Sequence, residues 1–110
     1  MHKIGIMQGR LSKAPLNANL DWFPYKEWQK EFFNAKKLGF NYIELVINRY
    51  HENLQNPLFN KNSLLEIKTL NIENQLNCES CCANNIIENS ILNEKVVDEL
   101  IELQENLKYI

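Results

Sequence analysis

Residues 27–48 read EWQKEFFNAKKLGFNYIELVIN. In the first half Trp28, Phe32, Ala35 and Leu38 recur at spacings of four, three and three, which places them along one face of a helix. Glu27 stands in its first turn and Lys36 and Lys37 in its last, the order the helix dipole favours, and Gly39 follows where a left-handed residue ends a helix. The second half, residues 41–48, is aromatic and β-branched and lacks the alternation of a half-exposed strand, so it reads as a strand buried on both faces. Glu44 alone interrupts it. A capped helix running directly into such a strand is half of a βαβ unit, and the rest of the chain is read outward from it.

Upstream, residues 3–7 (KIGIM) form a short, nearly continuous apolar run, again a buried strand. The loop that follows, residues 9–24, holds Gly9, two prolines and several small polar residues. Downstream, residues 49–62 are loop, with Pro57 disfavouring helix at Asn56. Residues 63–71 form a short helix that buries Leu64, Ile67 or the stem of Lys68, and Leu70 or Leu65. Residues 74–84 (NQLNCESCCAN) are a third strand interrupted by Asn77 and Glu79. Residues 93–110 form a last helix with Asn93 as N-cap, Glu94 and Asp98 toward its start, and a stripe of Val96 or Val97, Leu100, Leu103 and Leu107.

Strand, helix, strand, helix, strand, helix is the signature of an α/β fold with a parallel sheet and right-handed crossovers. The strands begin near residues 3, 41 and 75, close to the roughly 31 residues per unit obtained by dividing a ~250-residue (β/α)8 TIM barrel into eight. The expectation is one partial TIM barrel over residues 1–110, a parallel βαβαβα segment equal to its first three units. The chain stops where a fourth strand would be due, which fits a part of a larger barrel.

A net charge of −2 and a pI near 5.7, with lysines scattered among glutamates, give no basic field for nucleic acid. No apolar run approaches the ~20 residues that span a bilayer, and the first residues lack the order of a secretion signal, so a cytoplasmic location is expected. Three cysteines, Cys78, Cys81 and Cys82, are then expected as reduced thiols. Cys78 and Cys81 have C-x-x-C spacing, but a structural zinc site needs a second ligand pair, which His2 and His51 do not supply.

Strand one ends in KIGIMQGRLS (residues 3–12), and this stretch is similar to the start of the sugar phosphate isomerase/epimerase family, xylose-isomerase-like TIM barrels. FPYKEWQKEFFNAKKLGFNYIEL (residues 23–45) resembles that family's first helix and second strand. NPLFN (residues 56–60) resembles the loop before its second helix, and SCCANNIIENSI (residues 80–91) the end of its third strand, with Asn84 where aspartate is usual. The resemblance implies a metal-assisted proton transfer on a sugar or sugar phosphate, with a divalent metal held by glutamate, aspartate, histidine and a further glutamate from later strands that this chain does not contain. In a parallel barrel the strand ends gather at one mouth. Gln8, with a donor and an acceptor, and Arg10, with a planar fork, are therefore assigned by resemblance to substrate contact or to shaping the site. The plainer role for Arg10 is to pair with a carboxylate at the strand end. Glu44, costly in a buried strand unless paired or solvated, either contacts substrate, braces a group that does, or forms an ion pair with Arg10.

His51 belongs to the loop after strand two. Trp22, Phe23 and Tyr25 either wall a sugar pocket or seat the first helix. Two other readings stand beside the isomerase: a non-catalytic remnant or assembly module, and a metal-dependent endonuclease-type barrel, for which only Arg10, Lys13 and Arg49 offer phosphate contacts. Three strands of a barrel leave both outer edges unpaired, so self-association through strand edges is expected, beside a small-molecule sugar ligand and no nucleic-acid or membrane partner.

Overall fold

The computed structural model describes residues 2–20, 22–48, 56–84 and 94–110, apart from the side chain of Val96. Within them the order is β1 (Gly5–Met7), α1 (Trp28–Lys37), β2 (Tyr42–Ile47), a 3-10 turn (Pro57–Phe59), α2 (Lys61–Glu73), β3 (Cys81–Ala83) and α3 (Glu94–Tyr109). The three strands form one parallel sheet in the order β1-β2-β3. Gly5, Ile6 and Met7 pair with Tyr42, Ile43 and Glu44, while Leu45, Val46 and Ile47 pair with Cys81, Cys82 and Ala83. The outer strands thus flank different halves of β2.

Each helix end shows why the chain turns where it does. At the end of α1 the Phe40 N–H donates to Ala35 O and the Gly39 N–H to Lys36 O, with Gly39 at φ +89, which is a Schellman cap. Leu38, expected on the buried face, is the cap residue and is 64% exposed. The end of α2 repeats the motif: Leu76 N–H donates to Asn71 O, Gln75 N–H to Ile72 O, and Gln75 stands at φ +53 without being glycine. The start of α2 is capped by Asn60, whose side chain accepts from the Asn62 and Ser63 N–H groups. The Asn93 cap expected for α3 lies outside the described residues.

Strand alternation sorts the sheet into two faces. On one, Ile43, Leu45 and Ile47 join Trp28, Phe32 and Ala35 of α1 and Leu64 and Ile67 of α2 in a single buried cluster, with Ile6, Cys81 and Ala83 packed against it. Both crossover helices therefore cover the same face. The last helix adds Leu103 to this cluster and Leu107 at its margin, while Val97 is exposed. It is tied down by Asn106 Nδ2 donating to Leu58 O and by Lys68 over the Tyr109 ring, 4.6 Å from its centre. The other face carries Gly5 and Met7, Tyr42, Glu44 and Val46, and Cys82. There a side chain at Gly5 would collide with the Tyr42 ring, so the ring lies where the glycine leaves room.

β1 and β3 are shorter than the expected runs. The Ile4 N–H goes to the Asn41 side chain and Asn41 N–H to Ile4 O, which ends the ladder before Gly5. In residues 74–80 a single bridge joins Asn77 to Tyr42 before the strand proper begins.

Candidate functional site

The parallel strands direct their C-terminal ends to one edge of the sheet, and the chain leaving β1 is held there by polar side chains. Gly9 takes φ +92, and a side chain on it would lie 2.5 Å from the Trp22 carbonyl oxygen, so both conformation and space require glycine. Gln8 still belongs to the ladder through its N–H to Glu44 O at 2.9 Å. Its main chain then turns away, and its side chain takes over: Gln8 Oε1 accepts from Val46 N–H at 2.8 Å. The Val46 carbonyl is met by Asn56 Nδ2 at 3.0 Å. Two buried amides thus serve the main chain of β2 where β1 has ended. Gln8 is 1% exposed, and its Nε2 has no hydrogen-bond partner among the described residues.

Beneath this turn sits Glu31, on the core face of α1 and also 1% exposed. Its two carboxylate oxygens both accept from Gly9 N–H at 3.0 Å, and Oε2 also accepts from Leu11 N–H at 3.0 Å. Burial raises its pKa above the ordinary glutamate value, and the N–H groups of Gly9 and Leu11, the Ser12 hydroxyl and the Arg10 charge only partly offset that. Sequence reasoning passed over Glu31. The signal was present: residue 31 is three after Trp28 and four before Ala35, in the middle of the apolar stripe.

Arg10 is exposed, and its guanidinium donates to Leu20 O in the same loop. It does not pair with Glu44. That carboxylate lies halfway along β2, level with Met7 and ahead of the three most deeply buried residues of the strand, so it does not stand at the strand exit. Its Oε2 accepts from the Ser80 hydroxyl at 2.8 Å. The structure therefore brings Gln8 and the β2 main chain together but keeps Arg10 and Glu44 apart.

At the ends of β2 and β3, Asn48 Oδ1 accepts from the Tyr25 hydroxyl at 3.1 Å, and Asn84 N–H donates to Ile47 O at 2.9 Å. Asn84 Oδ1 lies 3.1 Å from Cys82 Sγ. Phe23 is buried in the core, so it seats the first helix. Phe23 also lines an open cleft of about 360 Å³ with Trp22, Tyr25, Lys13, Lys26 and Glu27. Through Tyr25 and Asn48 this cleft is fastened to the exit of β2. His51 and Arg49 lie outside the described residues.

Among the described residues no three His, Cys, Asp or Glu side chains are placed to hold a metal ion. Glu44, the only carboxylate in the three strands, is bonded to Ser80, and Cys81 beside it is held protonated: burial first, then the neighbouring thiols and Glu44, push its pKa up to about 12. These residues do not fit the divalent metal that the resemblance implies. The cysteines are free thiols. No helix among the described residues is long and apolar enough to cross a membrane.

Comparison with known proteins returns no match: no family model, no curated protein and no solved structure matches the chain.

Proposed function

We propose that this chain is the substrate-holding first part of a TIM-barrel sugar phosphate isomerase or epimerase. The observation that carries this reading is the aromatic and basic cleft at the carboxyl edge of a parallel sheet, the edge where α/β proteins bind their ligands. Trp22 and Tyr25 offer apolar ring faces to the C–H face of a sugar, and Lys13 and Lys26 offer ammonium groups to a phosphate. The sequential strand order, with both crossover helices on one face, leaves Tyr42, Glu44 and Val46 for the interior of a barrel. At the same edge Gln8 Nε2 is a buried donor with no hydrogen-bond partner among the described residues. Proton transfer beside a carbonyl, and the metal that assists it, belong to groups beyond these residues.

The test uses tryptophan fluorescence. The chain has two tryptophans, and Trp28 is buried in the core, so a Trp28→Phe variant reports on Trp22 alone. Titration with a ketose phosphate is expected to give a saturable change, which the unphosphorylated ketose and inorganic phosphate do not reproduce at the same concentration. Replacing Lys13 and Lys26 together by alanine is expected to weaken binding by about tenfold or more, the scale of a lost charge-assisted contact. A folded protein whose Trp22 emission does not respond to the sugar phosphate overturns the reading.

A further inference from the structure

We infer that Glu31 is the positioning residue of the candidate site: its carboxylate sets the course of the chain leaving β1 and thereby builds the cleft at Trp22. The inference rests on the proposed ligand site for its functional meaning, though not for its geometry. Four observations converge on it. Glu31 is a carboxylate in the middle of an apolar helix face, and its ligands are the main-chain N–H groups of Gly9 and Leu11. Those two residues flank Arg10, so the carboxylate fixes where that side chain leaves the chain. From there Arg10 reaches the Leu20 carbonyl, two residues before Trp22. Gly9 in turn passes so close to the Trp22 carbonyl that only glycine fits. A single side chain on α1 thus holds the start of the segment that carries Lys13 and Trp22, and Arg10 and Gly9 tie that start to its end.

A carboxylate serving only as internal packing would affect melting and nothing else. A positioning residue couples its own state to the cleft. Arg10 is the charged group that faces Glu31 from the loop, and Ser12 adds a hydroxyl; on α1 itself, Glu27 and Lys30 pair with each other at the surface. Arg10 stays cationic throughout the acid range. Glu31 is therefore the group expected to move the loop as pH falls.

The decisive measurement needs no substitution in the loop. In the Trp28→Phe protein, the Gly9 and Leu11 amide resonances and the Trp22 emission are followed between pH 7 and pH 4. All three are expected to titrate with one common midpoint above the ordinary glutamate value, and all three are expected to lose it in Glu31→Gln. In Glu31→Ala, acrylamide quenching of Trp22 is expected to rise at least twofold and sugar phosphate binding to weaken at least tenfold, while Glu31→Gln, a neutral mimic of the protonated acid, is expected to match the parent at the acid end of its titration. Amide shifts that titrate while Trp22 stays silent, or a midpoint that survives Glu31→Gln, overturn the inference. Should the parent protein bind no sugar phosphate while the common titration is seen, the ligand reading fails and the coupling of Glu31 to the cleft stands.

Discussion

Glu31 and Glu44 both stand among apolar neighbours, one on a helix face and one in a strand, and the protein satisfies them in different ways. Glu31 accepts from two main-chain N–H groups that have no other partner among the described residues, so the fold depends on it as much as it depends on the fold. Glu44 accepts from one hydroxyl, Ser80, a group that water replaces at little cost. The first carboxylate is committed to structure on both oxygens. The second keeps an oxygen uncommitted among the described residues, on the sheet face away from the helices. That contrast separates a carboxylate that braces the loop after β1 from one held by a single hydroxyl on the open sheet face, and it orders the expected effects of changing them.

The largest effect is expected at Glu31. Alanine there strands the Gly9 and Leu11 N–H groups in a site with little access to water, at about 1–3 kcal/mol each, so Glu31→Ala should cost roughly 2–6 kcal/mol by urea unfolding. Glu31→Gln should cost much less at neutral pH. The two also differ in pH dependence. Because the folded state raises the pKa of Glu31, it binds that proton more tightly than the unfolded chain does, and protonation favours the fold. The wild-type protein should accordingly gain on Glu31→Gln below about pH 4.5 and lose that advantage as pH rises through the folded pKa. A difference that grows in the opposite direction would mean that the N–H groups outweigh burial and that Glu31 is a pre-formed anion.

Next in size is Gln8. Its Oε1 is the acceptor for Val46 N–H in the sheet interior, so Gln8→Ala should cost about 1–3 kcal/mol. If Gln8 were held only by its own main chain, hydrogen exchange at Val46 would be unchanged in the variant. Protection lost at Val46 and kept at Leu45, which donates instead to Ser80 O on the β3 side, would localise the effect to the β1 exit.

How much of this was legible follows from where each partner lies. The end of α1 and the course of β2 could be read directly, because a cap and a continuous apolar run are local patterns, and Gly39 and Tyr42–Ile47 fall where they imply. The face of α2 was ambiguous because Asn71 occupies the buried stripe, where its carbonyl closes the helix cap on Leu76. Glu44 was legible as an oddity in its strand, but its partner was not. Ser80 is 36 residues away, just before the strand with the weakest pattern, and a serine carries no mark of what it will bond. Glu31 went unread because a glutamate on a helix is unremarkable until the stripe around it is counted. The role of Gln8 as a substitute for a missing main-chain carbonyl depends on where β1 stops, which three residues of strand do not announce.

The smallest effect tests whether the charge of Glu44 is felt at all by its neighbours. Cys81 lies on the adjoining strand, paired with Leu45, and its thiol is pushed up to about 12 chiefly by burial, with Glu44 the last of the contributors. At pH 8 roughly one molecule in ten thousand would carry that thiolate, so alkylation of Cys81 should be slow in the native protein and should need urea. Cys78, which is exposed although its pKa is also raised by burial and by Glu79, should react first. Removing the Glu44 charge by Glu44→Gln lowers the Cys81 pKa. Thiolate abundance rises faster than nucleophilicity falls, by about half a decade per decade, so the native alkylation rate should increase, though by no more than about threefold. Stability should change by under about 1 kcal/mol, since the amide oxygen still accepts from Ser80. Site-resolved mass spectrometry after timed iodoacetamide treatment reads the rate at each cysteine. An unchanged rate at Cys81 would show that the Glu44 charge is screened there, and the contrast between the two carboxylates would rest on Glu31 alone. A rate increase confined to Cys81 would show that the Glu44 charge reaches that thiol across the pairing of β2 and β3.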